Sequence, residues 1–370
     1  MYLNRLHLRH FRNYREQEVI FSAPKTILLG DNAQGKSNLL EAVELLSTLK
    51  SHRATRDRDL VLTGETESKI TAQLTRRHGS IDLNLLLRDK GRRTATVNHE
   101  TLKRQLDFLG ILNAVEFSAL DLDLVRGNPE MRRHWIDSLL FQIEPVYAHI
   151  LHEYQRILKQ RNSLLKQAEH RSLDPAELAV WNHQLIVAGT KVIRRRMRII
   201  DRLAPIASAW HTKISKQTEA LTITYAPDII ATDNTAEAIY QGFTERLDLR
   251  QVAEQSLGMT LVGPHRDEIE LTIDDTPAKA YGSQGQQRTL VLALKLAELE
   301  LIEQIVGEPP LLLLDDVLAE LDLTRQNQLL SVIEDRFQTL ITTTHLGAFD
   351  AKWLESSQIL QVRSGEIIQA

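Results

Sequence analysis

The chain of 370 residues contains no cysteine. That excludes disulfides, thiolate zinc sites and a cysteine nucleophile, and it fits a reducing cytoplasm. Long apolar runs are also missing. A membrane-spanning helix needs about 18 apolar residues in succession, and the best stretch, Leu290 to Ile302, is interrupted by Lys295, Glu298 and Glu300. Met1 to Arg15 mixes arginine and histidine throughout and has no apolar signal core. The 13 histidines form no His-x-x-x-His pair or similar cluster, so a metal hydrolase has little support. An excess of positive charge is absent too: the formal net charge is −4. Binding to nucleic acid would therefore have to rest on local basic clusters. The remainder, 42% hydrophobic and 25% charged, is ordinary globular composition. This length exceeds one typical core, so a large domain with a second lobe is expected.

Apolar spacing organises the chain. Leu6 and Leu8, then Val19 and Phe21, alternate with polar residues as strands do, and Ile27-Leu28-Leu29 is a short buried run ending at Gly30. From Ser37 the spacing turns helical, with Leu39, Leu40, Val43 and Leu46. Residues 68–87 return to strand alternation. From about Pro129 the chain carries two long helical stripes. The first is Tyr147, Ile150, Leu151, Tyr154, Leu158, Leu165 and Ala168; the second, after Asp174-Pro175, is Leu178, Trp181, Leu185, Ala188, Val192 and Ile199. They read either as a short antiparallel hairpin of coiled-coil type or as a helical subdomain without that character. Leu311 to Leu314 and Leu340 to Thr344 are continuous strands suited to a parallel sheet. The expected architecture is α/β, with residues 1–125 and 258–370 forming one domain and 126–257 an inserted helical lobe.

Gly30-Asp31-Asn32-Ala33-Gln34-Gly35-Lys36-Ser37 matches G-x-x-x-x-G-K-[ST] in full, between a strand and a helix. Glycines let successive amide N–H groups surround phosphate oxygens, and the helix start adds its positive dipole end. Lys36 reaches the β- and γ-phosphates and the Ser37 hydroxyl ligates Mg²⁺, so ATP with Mg²⁺ is the expected ligand. Such a loop needs an acidic partner at a neighbouring strand tip, and Leu311 to Asp315 has that form, with Asp315 holding Mg²⁺. Asp316 follows, either polarising an attacking water or serving as a helix cap or outer Mg²⁺ partner. Ser283-Gln284-Gly285-Gln286 opens a strong helix with Leu290, Leu294, Ala297 and Leu301 on one face. It is a capping box, and a helix start of this kind is also a γ-phosphate site.

These motifs, with Phe11-Arg12-Asn13-Tyr14, Ser51-His52-Arg53, Gly263-Pro264-His265-Arg266-Asp267 and Thr344-His345, resemble the SMC-like DNA-repair branch of the ABC-type ATPases along nearly the whole chain. The resemblance implies an ABC-type head domain with an inserted helical lobe. It makes Ser283 to Gln286 the signature that binds the γ-phosphate held by a second subunit, with Gln284 where transporter signatures have glycine. Asp316 stands where such ATPases usually have glutamate. Ala319-Glu320-Leu321-Asp322 matches the loop that communicates between the two nucleotides, which places Asp322 at the nucleotide site, and His345 matches the γ-phosphate switch. Glu116-Phe117-Ser118 falls at the glutamine-loop position but holds no glutamine. The implied protein is a cytoplasmic, nucleoid-associated recombination mediator of DNA repair, replication and the SOS response. It would dimerise on ATP, bind single-stranded, duplex and gapped DNA, act with RecO and RecR to load RecA, and hydrolyse ATP weakly, stimulated by DNA. The basic clusters available for DNA are Arg194-Arg195-Arg196 with Arg198, Arg132-Arg133, Arg76-Arg77, Arg92-Arg93, and Arg53 with Arg56 and Arg58. Two other readings compete: a transporter nucleotide-binding subunit, and another SMC-like ATPase bearing a nuclease module, for which the 25 residues after His345 leave no room.

Overall fold

A computed structural model describes residues 1–167, 174–216, 218–333 and 336–369. Ala168 and the turn before Asp174 lie outside the described residues, as does the side chain of Glu320. The chain divides into two compact units: Met1–Leu122 with Lys213–Gln217 and Arg288–Ala370, and Asp123–Thr212 with Thr218–Gln287.

The first unit holds two six-stranded sheets. One is antiparallel, with Tyr2–Phe11 paired to Tyr14–Ile20 on one side and Glu67–Arg76 on the other, and then Gly79–Arg88. Its alternation puts Leu6, Leu8, Ile70, Leu74, Leu83 and Leu85 inside. In the second sheet Lys25–Leu29, Thr339–Thr343, Leu311–Asp315 and Ala114–Ser118 lie side by side and parallel. Leu311 to Leu314 and all of Thr339–Thr343 are buried, as parallel strands covered on both faces must be. Leu39, Leu40, Val43 and Leu46 of the helix Lys36–Thr48 fill one shared core with residues of both sheets. The Gln338 amide ties the sheets together, accepting from the Leu3 N–H at 2.6 Å and donating to the Leu3 carbonyl at 2.8 Å. The register sets Leu29 beside Thr343, and Asp315 between Thr342 and Ser118. One sheet end thus gathers the carboxyl ends of four parallel strands, the usual ligand position in open α/β sheets.

In the second unit the helices Val146–Gln167 and Pro175–Ile214 carry the expected stripes, and Leu164, Leu165, Leu178 and Trp181 meet where the two approach. The pair is a hairpin built into a helical subdomain. Arg161, 1% exposed, donates to Asn182 at 2.7 Å but also to Thr260 at 2.8 Å and to Glu254 at 2.6 Å. Residues 258–287, expected in the ATPase domain, group with this unit instead. The reason is pairing distant in sequence: Glu268–Ile273 forms a ladder with Leu221–Ala226, and the Asp267 carboxylate accepts from the Asp228 N–H at 2.8 Å. Among the described residues no helix is long and apolar enough to cross a membrane.

Candidate nucleotide site

The phosphate loop leaves the strand Lys25–Leu29 with the Gly30 N–H bonded to the Thr343 carbonyl at 3.3 Å. A side chain at Gly30 would stand 2.4 Å from the Val362 carbonyl, and Gly35 has φ +118°, so both positions require glycine. Lys36, 4% exposed, folds back so that Nζ donates to the Gly30 and Asp31 carbonyls at 2.7 and 2.9 Å. Its ammonium is thereby held at the loop whose amides would surround phosphate. Other segments brace this loop. Asn13 donates to the Gln34 carbonyl at 2.9 Å and accepts from Asn38 at 2.8 Å, and the Tyr14 hydroxyl donates to the Gly35 carbonyl at 2.9 Å. From the carboxyl-terminal hairpin the Gly365 N–H donates to the Gln34 carbonyl at 2.9 Å and the Ser364 N–H to Gln34 Oε1 at 2.7 Å. A concavity of about 410 Å³ opens beside the loop, lined by Gly30, Asp31, Gln34, Thr344, Gln361 and Arg363 among others. Arginine and glutamine from the last strands were not expected there, and no local motif marks them.

The acidic partner lies where expected. Ser37 Oγ donates to Asp315 Oδ1 at 2.7 Å, and the same oxygen accepts from the Thr342 hydroxyl at 2.7 Å. A hydroxyl and a carboxylate held together are hard oxygen donors that fit Mg²⁺. Asp316 has φ 55° and ψ 15°; its N–H donates to Thr342 Oγ1 at 2.9 Å, and its carboxylate makes no helix-capping bond. Burial raises its pKa; Lys36 and His345 pull the other way and Asp315 adds to the rise. His345 is exposed, on a turn bracketed by Thr343, whose hydroxyl donates to the His345 carbonyl at 2.8 Å and accepts its N–H at 3.3 Å.

Asp322 is held by local bonds. It caps the helix Leu323–Ile333 by accepting the Arg325 N–H at 3.0 Å, a bond that also lowers its pKa, and it pairs with the Arg325 guanidinium. Ser283 and Gln286 form the capping box in full, with Gln286 N–H to Ser283 Oγ at 3.2 Å and Ser283 N–H to Gln286 Oε1 at 2.7 Å. The phosphate loop, Asp315, Asp316 and His345 belong to the first unit, whereas Ser283 to Gln286 belongs to the second. At the glutamine-loop position, Glu116 turns to His52, which it meets at 3.2 Å while Glu44 lies at 2.8 Å. Burial opposes the His52 cation, but the bonds to Glu116 and Glu44 prevail and hold it up at about 10. Ser118 is the residue in register beside Asp315.

The structure divides the arginine clusters. Arg196 is 3% exposed and buried in bonds to Asp137, to the Pro264 carbonyl at 2.7 Å and to Asp267, so it is no contact for DNA. Arg132 is likewise enclosed against Glu268 at 2.7 Å. Arg76 pairs with Glu308 and Arg93 with Asp57. Each of these four guanidiniums thus has a carboxylate partner remote in sequence.

A phosphate loop and an aspartate-tipped parallel strand in one unit, with a helical insertion in the chain between them, define an ABC-type ATPase head of the SMC kind. The chain matches the RecF/RecN/SMC N-terminal domain family over residues 2–366. The SMC head domain of Pyrococcus furiosus shares the fold, at TM-score 0.56 and 16% identity over 100% of this chain and 96% of that one. More specifically, the chain belongs to the RecF family. It is 66% identical to the DNA replication and repair protein RecF of Nostoc punctiforme over 372 residues, covering 100% of this chain and 99% of the relative. The RecF of a Cyanothece strain is 62% identical over 371 residues, with 100% and 98% covered. The solved structure of the recombination mediator protein RecF-ATP in the RecFOR pathway superposes at TM-score 0.93 with 30% identity, covering 100% of this chain and 97% of that chain.

Proposed function

We propose that this chain is an ATP-gated recombination mediator whose two copies close around ATP and hold DNA at a gap or a single-strand–duplex junction, supporting RecA loading with RecO and RecR. The observation that carries the reading is Ser37 Oγ at 2.7 Å from Asp315 Oδ1, beside a phosphate loop whose lysine is already folded over it. Lys36 and the loop amides bind the β- and γ-phosphates, and Ser37 and Asp315 hold Mg²⁺, which neutralises phosphate charge when bound. Asp316 orients and deprotonates the attacking water, and His345 contacts the γ-phosphate. Ser283 to Gln286 of a second copy completes the site. In this reading a lone subunit binds ATP and hydrolyses it poorly, and hydrolysis resets the clamp.

The test is binding of gapped, single-stranded and duplex DNA with and without ATP, comparing wild type with Lys36→Met. ATP-dependent binding in the wild type, lost in the variant, is the expected result. Equal binding in all arms would separate the nucleotide from the DNA and end the clamp reading.

A further inference from the structure

We propose that a groove along the helix Pro175–Ile214, formed by Arg194, Arg198 and Arg202, grips the phosphodiester backbone of duplex DNA. This rests on the reading of the chain as a DNA-binding protein, and it names the surface. The three arginines recur every fourth residue, so they share one helix face and span about 12 Å of its axis. The same stretch buries Val192, Ile193, Ile199, Ile200 and Leu203 elsewhere on the helix, so folding does not need the arginine face. A concavity of about 420 Å³ lies there, lined by these arginines with Arg195, Glu144, Asp201 and Asn234 among others.

The charge of this cluster is only partly balanced. Glu144 alone serves two guanidiniums, Arg195 at 2.8 Å and Arg198 at 3.0 Å. Arg194 and Arg202 are exposed and have no hydrogen-bond or ion-pair partner among the described residues. Four arginines face two carboxylates, leaving an excess of positive charge in a concave surface. Asn234, which directly precedes Thr235, the cap of the helix Ala236–Leu257, adds a neutral amide to the wall of the groove. Arginine forks match phosphate geometry. None of the described lining residues is aromatic, and single-strand binders stack bases on aromatic rings. The chemistry therefore points to the phosphates of a duplex, read without regard to sequence.

The experiment measures binding of a labelled duplex in the presence of ATP as salt is raised, for wild type, Arg194→Gln/Arg202→Gln and Arg194→Lys/Arg202→Lys. Removing two phosphate contacts should lower the slope of log affinity against log salt by about 1.8 and weaken binding about tenfold or more at low salt. The lysine variant should keep most of the slope, and ATP affinity should stay unchanged in both variants. If wild type binds duplex with ATP and the glutamine variant matches its slope, the groove is not the contact, while the clamp reading stands. Wild type that binds neither the labelled duplex nor a labelled single strand in any condition overturns both. Binding confined to single strands overturns the duplex assignment alone.

Discussion

Asn13 sits in the turn between the first two strands, yet it holds the phosphate loop 21 residues away by donating to the Gln34 carbonyl and accepting from Asn38. Asn13→Ala removes both bonds. Each is worth about 0.5–1.5 kcal/mol net, so the loop loses on the order of 1–3 kcal/mol of restraint. Gln34 keeps its bonds from Gly365 and Ser364, which places the loss towards the lower end. The loop must be fixed for its amides to converge on phosphate, so the loss appears in ATP affinity: a rise in Kd of about tenfold, since about 1.4 kcal/mol is one decade. Asn13→Asp is the sharper probe. It keeps the shape, sets an acceptor against the Gln34 carbonyl, and puts a negative charge beside the phosphates, so it should weaken ATP binding more than alanine does. Titration calorimetry with Mg-ATP, alongside thermal unfolding, measures both. An Asn13→Asp protein that binds ATP as tightly as wild type would refute the idea that this turn organises the loop.

Arg196→Met should destabilise the second unit by about 3–5 kcal/mol, because it strands the buried Asp137 and Asp267 carboxylates. Arg198→Met, two residues on at an exposed site, should change stability by less than about 0.5 kcal/mol in the same denaturant titration. Burial holds His265 down at about 4, where its ring meets the Tyr154 hydroxyl at 2.6 Å. The unfolded chain therefore takes up the proton first, and stability present above pH 6.5 should fall by on the order of 3 kcal/mol as pH drops towards 4. His265→Gln should flatten that acid limb. His52 acts in the opposite sense: its raised value gives stability that is complete below about pH 6.5 and fades as pH climbs through about 10. A His52→Phe protein whose melting temperature declines over that alkaline range as steeply as wild type would contradict the assignment.

What could be read from the sequence was local or periodic. The phosphate loop, the Leu311 to Asp315 strand and the Ser283 capping box are contiguous motifs, and both helical stripes show at three- and four-residue spacing. Arg194-Arg195-Arg196 reads as one basic run because its partners, Asp137 and Asp267, lie far along the chain. A signal was nevertheless present: Val192, Ile199 and Leu203 define the buried stripe, and Arg196 falls on it while Arg194 does not. The boundary moved from 257 to 287 for a similar reason, since strand pairing between Leu221–Ala226 and Glu268–Ile273 leaves no local mark. The bracing of Gln34 by Asn13 and by Ser364-Gly365 joins the two ends of the chain, which no spacing rule can anticipate.

Asp316 brings backbone and chemistry together at one residue. It occupies the left-handed region at φ 55°, where aspartate and asparagine are tolerated far better than most side chains. A glutamate, usual at this place in ABC-type ATPases, would reach further but gains less from local backbone bonding in that conformation. The shorter acid thus fits a turn fixed by the Thr342 hydroxyl on its N–H. Burial, with the Asp315 charge behind it, lifts its pKa against Lys36 and His345, so the acid limb of turnover should lie above the ordinary aspartate range and activity should fall as pH drops through it. Asp316→Asn keeps both conformation and shape, so the protein should fold and bind Mg-ATP normally while turnover drops about 100-fold or more. Asp316→Ala should add about 1 kcal/mol of backbone strain to the same catalytic loss. If the asparagine variant hydrolyses ATP at the wild-type rate, with its acid limb unchanged, the attacking water takes its direction from another group and Asp316 is there for the turn alone.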